Sequence, residues 1–449
     1  MSTPTADTIA ALGPPTPLRK RHVARLWWPL AASWLMMGLE GPAIVAVVAR
    51  LADPQVQLAA YGGLVFPLAL FIEAPIIMLL AASTALSRDL TSYRRLRRYT
   101  HVLGGTLTAL HVLVAFTPLY YLIAQGLIGV PEAIVAPGRL GLMILLPWTW
   151  AIGYRRFNQG LLIRLGRSLS VGIGTVVRLA GNFTALAVGY RLGLPGIVVA
   201  ATATATGVLC EAVFVGLRVR PLVKRDLPPA APGEALDLRS FLSFYVPLSL
   251  TPMIFLLSRP IGSAAISRMP DALDSLAVWP VVTGLVFLVR SVGMAYNEVV
   301  VASLDRPRAY RPLRAFAWGM AGVTTAILFA TAATPLGRLW LERVSGLSPH
   351  LADLGQRGLW LALPLPALTV VQNWLQGIVL HTRRTRAIGE AVGAFLLVSV
   401  ALLAAGVVRG DLTALYVALT AMTAGELART AWLALRSRGG RTTLRLRDG

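Results

Sequence analysis

Apolar positions along this chain gather into long unbroken runs, and polar residues collect in short clusters between them. A bilayer core of about 30 Å is crossed by roughly 20 apolar helical residues. Twelve runs reach that length: 26–48, 61–83, 102–124, 140–162, 169–190 and 195–217, then 244–266, 276–299, 313–333, 359–380, 387–408 and 412–435. Continuous runs speak against a β-barrel, whose strands alternate apolar and polar positions over about ten residues. The pattern predicts an all-α polytopic membrane protein with twelve transmembrane helices.

The runs repeat. Pro29-Leu30 opens the first and Pro247-Leu248 the seventh, 218 residues later, and the same shift carries Pro42 to Pro260, Arg50 to Arg268 and Asp53 to Asp271. A shift of 217 carries Thr117-Pro118-Leu119 to Thr334-Pro335-Leu336, Pro147 to Pro364 and Gln159-Gly160 to Gln376-Gly377. A near-constant offset over more than a hundred residues marks a duplication. Each half has an even number of spans, so both take the same orientation, related by an axis along the membrane normal. The expected organisation is a tail (1–25), a six-helix bundle (26–219), a proline-bearing linker (220–240), a second bundle (241–436) and a tail (437–449).

Composition changes this picture in one respect. The 449 residues are 56% hydrophobic, yet 42 Lys+Arg against 20 Asp+Glu leave a formal charge of +22. A basic total of that size normally raises nucleic acid as a partner. Twenty-eight of the basic residues, however, fall in the tails, the linker and one set of loops, against eight in the opposite loops. Excess Lys/Arg in short loops marks the cytoplasmic side. Both termini are therefore expected in the cytoplasm, across a cytoplasmic (inner) membrane. The charge is an orientation signal with some attraction for anionic lipid heads, and nucleic acid is not an expected partner. The single Cys210 and five scattered histidines give no disulfide framework and no metal-ligand spacing.

The remaining charges lie in the spans, where each ionisable group is a functional candidate. There are six acids (Glu40, Glu73, Glu211, Glu298, Glu390, Glu426) and six arginines (Arg155, Arg156, Arg178, Arg259, Arg290, Arg429). Glu40 and Arg259 sit eleven and twelve residues after their opening prolines, and Glu73 maps within one residue of Arg290. The first half thus carries acids near the positions where the second carries arginines. Three readings follow: two salt bridges between buried charges, an anion held by Arg259 and Arg290 with Glu40 and Glu73 gating or coupling, or a cation site on the two acids. Arg178, Asn182, His111 and Tyr61 are secondary candidates, with His111 expected as a hydrogen-bonded interior histidine and Tyr61 as an interfacial aromatic. Glu426 and Arg429, three apart, read as a local pair. Arg155 and Arg156 are placed to snorkel from the cytoplasmic third of their span, and Glu211 and Glu390 lie nearer that surface than the midplane. Prolines Pro42, Pro67, Pro75, Pro252, Pro260 and Pro280 interrupt the same spans, which is tolerated where helices line a cavity.

No G-x-x-x-x-G-K-[ST], H-E-x-x-H or G-x-S-x-G occurs, so no enzyme and no cofactor is expected. One series of short motifs is more specific: Phe241-Leu242-Ser243-Phe244-Tyr245-Val246-Pro247-Leu248, then Ser258-Arg259-Pro260-Ile261, with Gly38-Leu39-Glu40, Tyr61-Gly62, Ser87-Arg88-Asp89 and His111 in order before them. The series resembles the progressive ankylosis protein family, within the superfamily of MATE drug exporters and polysaccharide flippases. Ala60 and Glu73 depart from the family pattern. The resemblance implies secondary active export of small anions such as citrate, pyrophosphate or nucleotides, by alternating access. The wider superfamily implies two alternatives, proton- or sodium-coupled efflux of cationic drugs and flipping of a lipid-linked saccharide. A proton or sodium ion is the expected coupling partner, and a monomer the expected unit.

Overall fold

The computed structural model describes residues 18–229, 236–382 and 385–448, so the first part of the N-terminal tail, the middle of the linker and Arg383 and Arg384 lie outside the described residues. Each apolar run forms a helix, as a chain in hydrocarbon must pair its backbone groups internally. In the first half these are α1 (Lys20–Val48), α2 (Pro54–Leu86), α3 (Leu90–Phe116), α4 (Glu132–Arg164), α5 (Ser168–Arg191) and α6 (Gly196–Asp226). In the second they are α7 (Leu238–Ile266), α8 (Ala272–Ser303), α9 (Tyr310–Ala333), α10 (Pro349–His381), α11 (Arg386–Arg409) and α12 (Ala414–Arg436), followed by a basic helix, α13 (Arg438–Arg447). Eleven are apolar enough to cross a membrane by composition alone. The twelfth, α12, carries Glu426 and Arg429 and packs along α11.

Most helices begin or end several residues from the sequence reading, and two differences change the picture. The third span ends at Phe116, because Thr117 takes an extended conformation and a separate short helix, Leu119–Ile128, follows. The linker is also shorter than 220–240, since α6 continues to Asp226 and α7 begins at Leu238.

The duplication is visible in the backbone. Asp53 and Asp271 both take left-handed conformations (φ 50° and 56°), as do Gly129 and Gly346 (75° and 74°) and Gly193 and Gly410 (62° and 69°). Thr117 and Thr334 each accept a hydrogen bond from the amide two residues on, at 3.2 and 3.3 Å.

Four helices join the halves. α1 and α2 pack on α8, and α7 packs on α2. At the basic end the pairs cross over: Leu18 and Val23 join an apolar cluster with Tyr296, Tyr310 and Trp374 of the second half. Phe241 of α7 stacks on Tyr99 of α3 at 5.0 Å. At the other end two arginines latch the halves reciprocally. Arg50 donates to the carbonyls of Arg343 and Val344, the latter at 3.0 Å. Arg268 donates to those of Leu127 and Ile128, both at 2.6 Å. These carbonyls close the wide-turn helices Leu122–Ile128 and Leu339–Val344, where helix ends leave acceptors unpaired. Gly129 and Gly346 follow them with positive φ, and a side chain there would meet the latching guanidinium.

Candidate functional site

Two of the joining helices, α1 and α7, are sparsely packed. In the apolar windows of α1 and α7 only 28% and 22% of residues are buried, against 56% in α2 and 61% in α6. Prolines 29 and 42 interrupt α1, and 247, 252 and 260 interrupt α7. In α2 a wide-turn stretch, Ala59–Val65, precedes Pro67, and a tight turn, Ala74–Ile76, follows Glu73. Proline has no N–H to give the ladder, so these irregular turns fall beside it.

Glu211 of α6, fully buried, is the hub of the first half. Arg155 of α4 donates to it at 2.5 Å, Gln159 at 2.8 Å, and Arg178 of α5 lies at 3.6 Å. Arg178 also pairs with Glu40 of α1 at 3.1 Å, and Asn182 donates to the same carboxylate at 3.2 Å. Glu73 is buried beside Thr149, Arg155 and Arg156, with one carboxylate oxygen left without a partner. Thr149 in turn shares a 2.7 Å hydrogen bond with Nδ1 of His111, whose Nε2 lies 3.0 Å from the Leu142 carbonyl. Three acids and three arginines share this interior, so its formal charge is zero.

The second half is built differently. Glu426 of α12, which stands near the duplicate position of Glu211, receives Arg290 of α8 at 2.8 Å, Gln372 of α10 at 2.9 Å and Arg429 at 3.4 Å. Arg290 donates also to Thr369 at 2.5 Å. Arg259 of α7 stands within electrostatic reach of Arg290, and its guanidinium has neither an acidic partner nor a hydrogen bond among the described residues. Its side chain is exposed on α7. Two arginines thus meet one buried carboxylate, and Arg259 stands near Arg290. Glu390 is taken up at the basic end by Arg386 and Arg436, at 3.4 and 2.6 Å.

The structure resolves the pairing differently from the expectation. Neither Glu40–Arg259 nor Glu73–Arg290 forms: Glu40 goes to Arg178 and Arg290 to Glu426, so every deep ion pair stays within one half. The local pair Glu426–Arg429 and the hydrogen-bonded His111 are present as expected. Arg155 does not snorkel; it is 5% exposed and points at Glu211. Tyr61 is not an interfacial aromatic either, being buried with a 2.6 Å hydrogen bond to Thr204. Gln372 and Thr369 went unnoticed in the sequence, and Glu211 was undervalued. The signal that could have found the hub is its recurrence, since glutamates stand at 211 and 426 in duplicate helices.

No family model matches the sequence. Solved structures do match over nearly the whole chain. An inward-facing conformation of a multidrug resistance MATE family transporter of the MOP superfamily superposes with a TM-score of 0.69 at 17% identity, covering 94% of this chain and 99% of that one. An outward-facing conformation of such a transporter gives 0.58 at 16% identity, covering 95% and 97%. A MOP superfamily transporter from Pyrococcus furiosus, described as having a binding pocket of reverse polarity, gives 0.61 at 18% identity over 95% and 96%. The chain therefore has the MATE fold, twelve helices in two six-helix bundles, and is an integral membrane protein.

Proposed function

We propose that this protein is a secondary active transporter that exports small anions, of citrate, pyrophosphate or nucleotide type, by alternating access between its two halves. The observation that carries this reading is the charge imbalance in the second half: Arg259, Arg290 and Arg429 against Glu426 alone. Guanidinium groups bind carboxylate and phosphate bidentately, and Arg259 is exposed with no acidic partner among the described residues. Arg259 is the primary anion ligand, and Arg290, already turned toward Glu426, is the second. The first half supports the same reading by contrast. Glu40 is held by Arg178 and Asn182, and Glu211 by Arg155 and Gln159, so these two carboxylates are already engaged. Glu40 and Glu73 serve gating or coupling, with proton or sodium as the ion, and Glu73 with its partnerless oxygen is the better placed to take a proton. The reverse-polarity pocket described for the archaeal neighbour is in keeping with an anion site on this fold.

The orientation follows from the basic loops. With that end in the cytoplasm, the arginine latches close the outer end, and the site is reached from inside. Anion metabolites in the medium of cells producing the wild-type protein are expected to exceed those with Arg259→Ala. Equal release from both would remove the assignment, and an altered uptake of a cationic dye with Glu40→Gln, anions unchanged, would replace it with drug efflux.

A further inference from the structure

The basic end of the first half holds a crevice that no transport step uses. Its volume is about 290 Å³, and it lies between α3, α4 and α6. Arg97 and Arg220 stand on opposite walls, and a stack of rings fills the space between. Trp150 and Tyr154 lie 5.0 Å apart at 14°, and His101 lies 5.8 Å from Trp150 at 13°. A shallower hollow shares Arg97 and His101 and adds Arg94 and Arg98. No acidic side chain pairs with any of these four arginines among the described residues. Next to the crevice, toward the middle of the bilayer, Val102, Val213 and Leu217 remain exposed.

This combination selects its ligand. Arg97 hydrogen-bonds the Tyr93 hydroxyl in the same crevice but, like Arg220, lacks an acidic partner among the described residues; guanidiniums so placed call for a phosphate, and stacked amphipathic rings are at home at headgroup depth. A free phosphate ion would use the arginines but leave the rings and the apolar strip without purpose. We infer that the crevice is a discrete site for an anionic phospholipid, with its phosphate between Arg97 and Arg220, its glycerol against His101 and Tyr154, and its acyl chains along Val102, Val213 and Leu217. Basic pockets between transmembrane helices bind such heads elsewhere by the same physics. The site binds α3, α4 and α6 together on the side of the half away from the joining helices.

The test is binding of phosphatidylglycerol to the purified full-length protein, read by native mass spectrometry and by the thermal shift it produces, with phosphatidylcholine and inorganic phosphate as separate arms. Wild-type protein should retain phosphatidylglycerol in preference to both. The double variant Arg97→Gln/Arg220→Gln should bind it about tenfold or more weakly. A control, Arg306→Gln/Arg314→Gln, removes the same charge from the same end of the second half and should bind as the wild type does. Melting in phosphatidylcholine alone checks that each variant is folded, and Tyr154→Ala gives a second, charge-neutral probe that should also weaken retention. The proposal is overturned if the control loses as much as the double variant, if phosphatidylcholine is retained equally, or if inorganic phosphate gives the whole thermal shift.

Discussion

Residues in this protein are legible in the sequence by type and poorly legible by partner. All twelve charged groups in the spans stood out, because charge in hydrocarbon is expensive. What could not be read was the direction in which each points around its helix. Depth along the membrane normal follows from counting residues; burial in a bundle depends on which neighbours pack on which face. Arg155 and Glu211 illustrate this, since both lie toward the basic ends of their runs yet face one another across the bundle interior. Removing one partner of a buried ion pair strands the other, at a cost of about 3–5 kcal/mol. Glu211→Gln should therefore lower the melting temperature of the purified protein sharply, and Glu390→Gln at the exposed basic end should change it little. Asp89 gives a milder case. Burial alone would raise its carboxyl, but hydrogen bonds from Ser92 and Thr91 at the start of α3 outweigh it and hold the group below the usual carboxylate range. A folded-state value below the unfolded one contributes stability above the unfolded pKa, and that contribution fades as pH falls through the folded one. Asp89→Ala should cost about 1 kcal/mol in thermal or chemical unfolding near neutral pH, and the difference from wild type should shrink in acid.

Among the elements, existence and order followed from hydropathy, and ends did not. A run of apolar residues does not announce that Thr117 caps a helix, nor that α6 will continue past its last apolar residue to Asp226. The repeat was more informative than the runs, because it singled out Arg50 and Arg268 as duplicates before their common task was visible. Each crosses to the other half and closes a wide-turn helix there. Two such latches, two hydrogen bonds each, hold the halves together at one end, and the proposed alternating access requires that they release. Arg50→Ala/Arg268→Ala should shift the population toward an open outer end. Spin labels placed by Gln125→Cys and Glu342→Cys in a Cys210→Ser background report this directly. The double variant should show a longer or broader distance distribution, each single variant a smaller change. An unchanged distribution would mean that the latches do not set the state.

The whole molecule is a duplicated fold whose halves have diverged in charge. The same helical plan gives a first half with three acids and three arginines in its interior and a second where Glu426 meets Arg290 and Arg429 while Arg259 has no acidic partner among the described residues. The +22 of the chain lies almost wholly outside this contrast, in the tails, linker and loops. The twelve-helix architecture is legible in the sequence, whereas whether acids and arginines meet across the halves is left open there. In the structure they pair within their halves, where buried charge is satisfied by the nearest fixed partner. That leaves Arg259 unpaired, and on it the account rests. The most direct measurement is release of labelled citrate, pyrophosphate or nucleotide from liposomes containing the purified protein. The account predicts release by the wild type, loss with Arg259→Ala and little change with Arg306→Gln; equal release by wild type and Arg259→Ala, or none by the wild type alongside movement of a cationic dye, would contradict it.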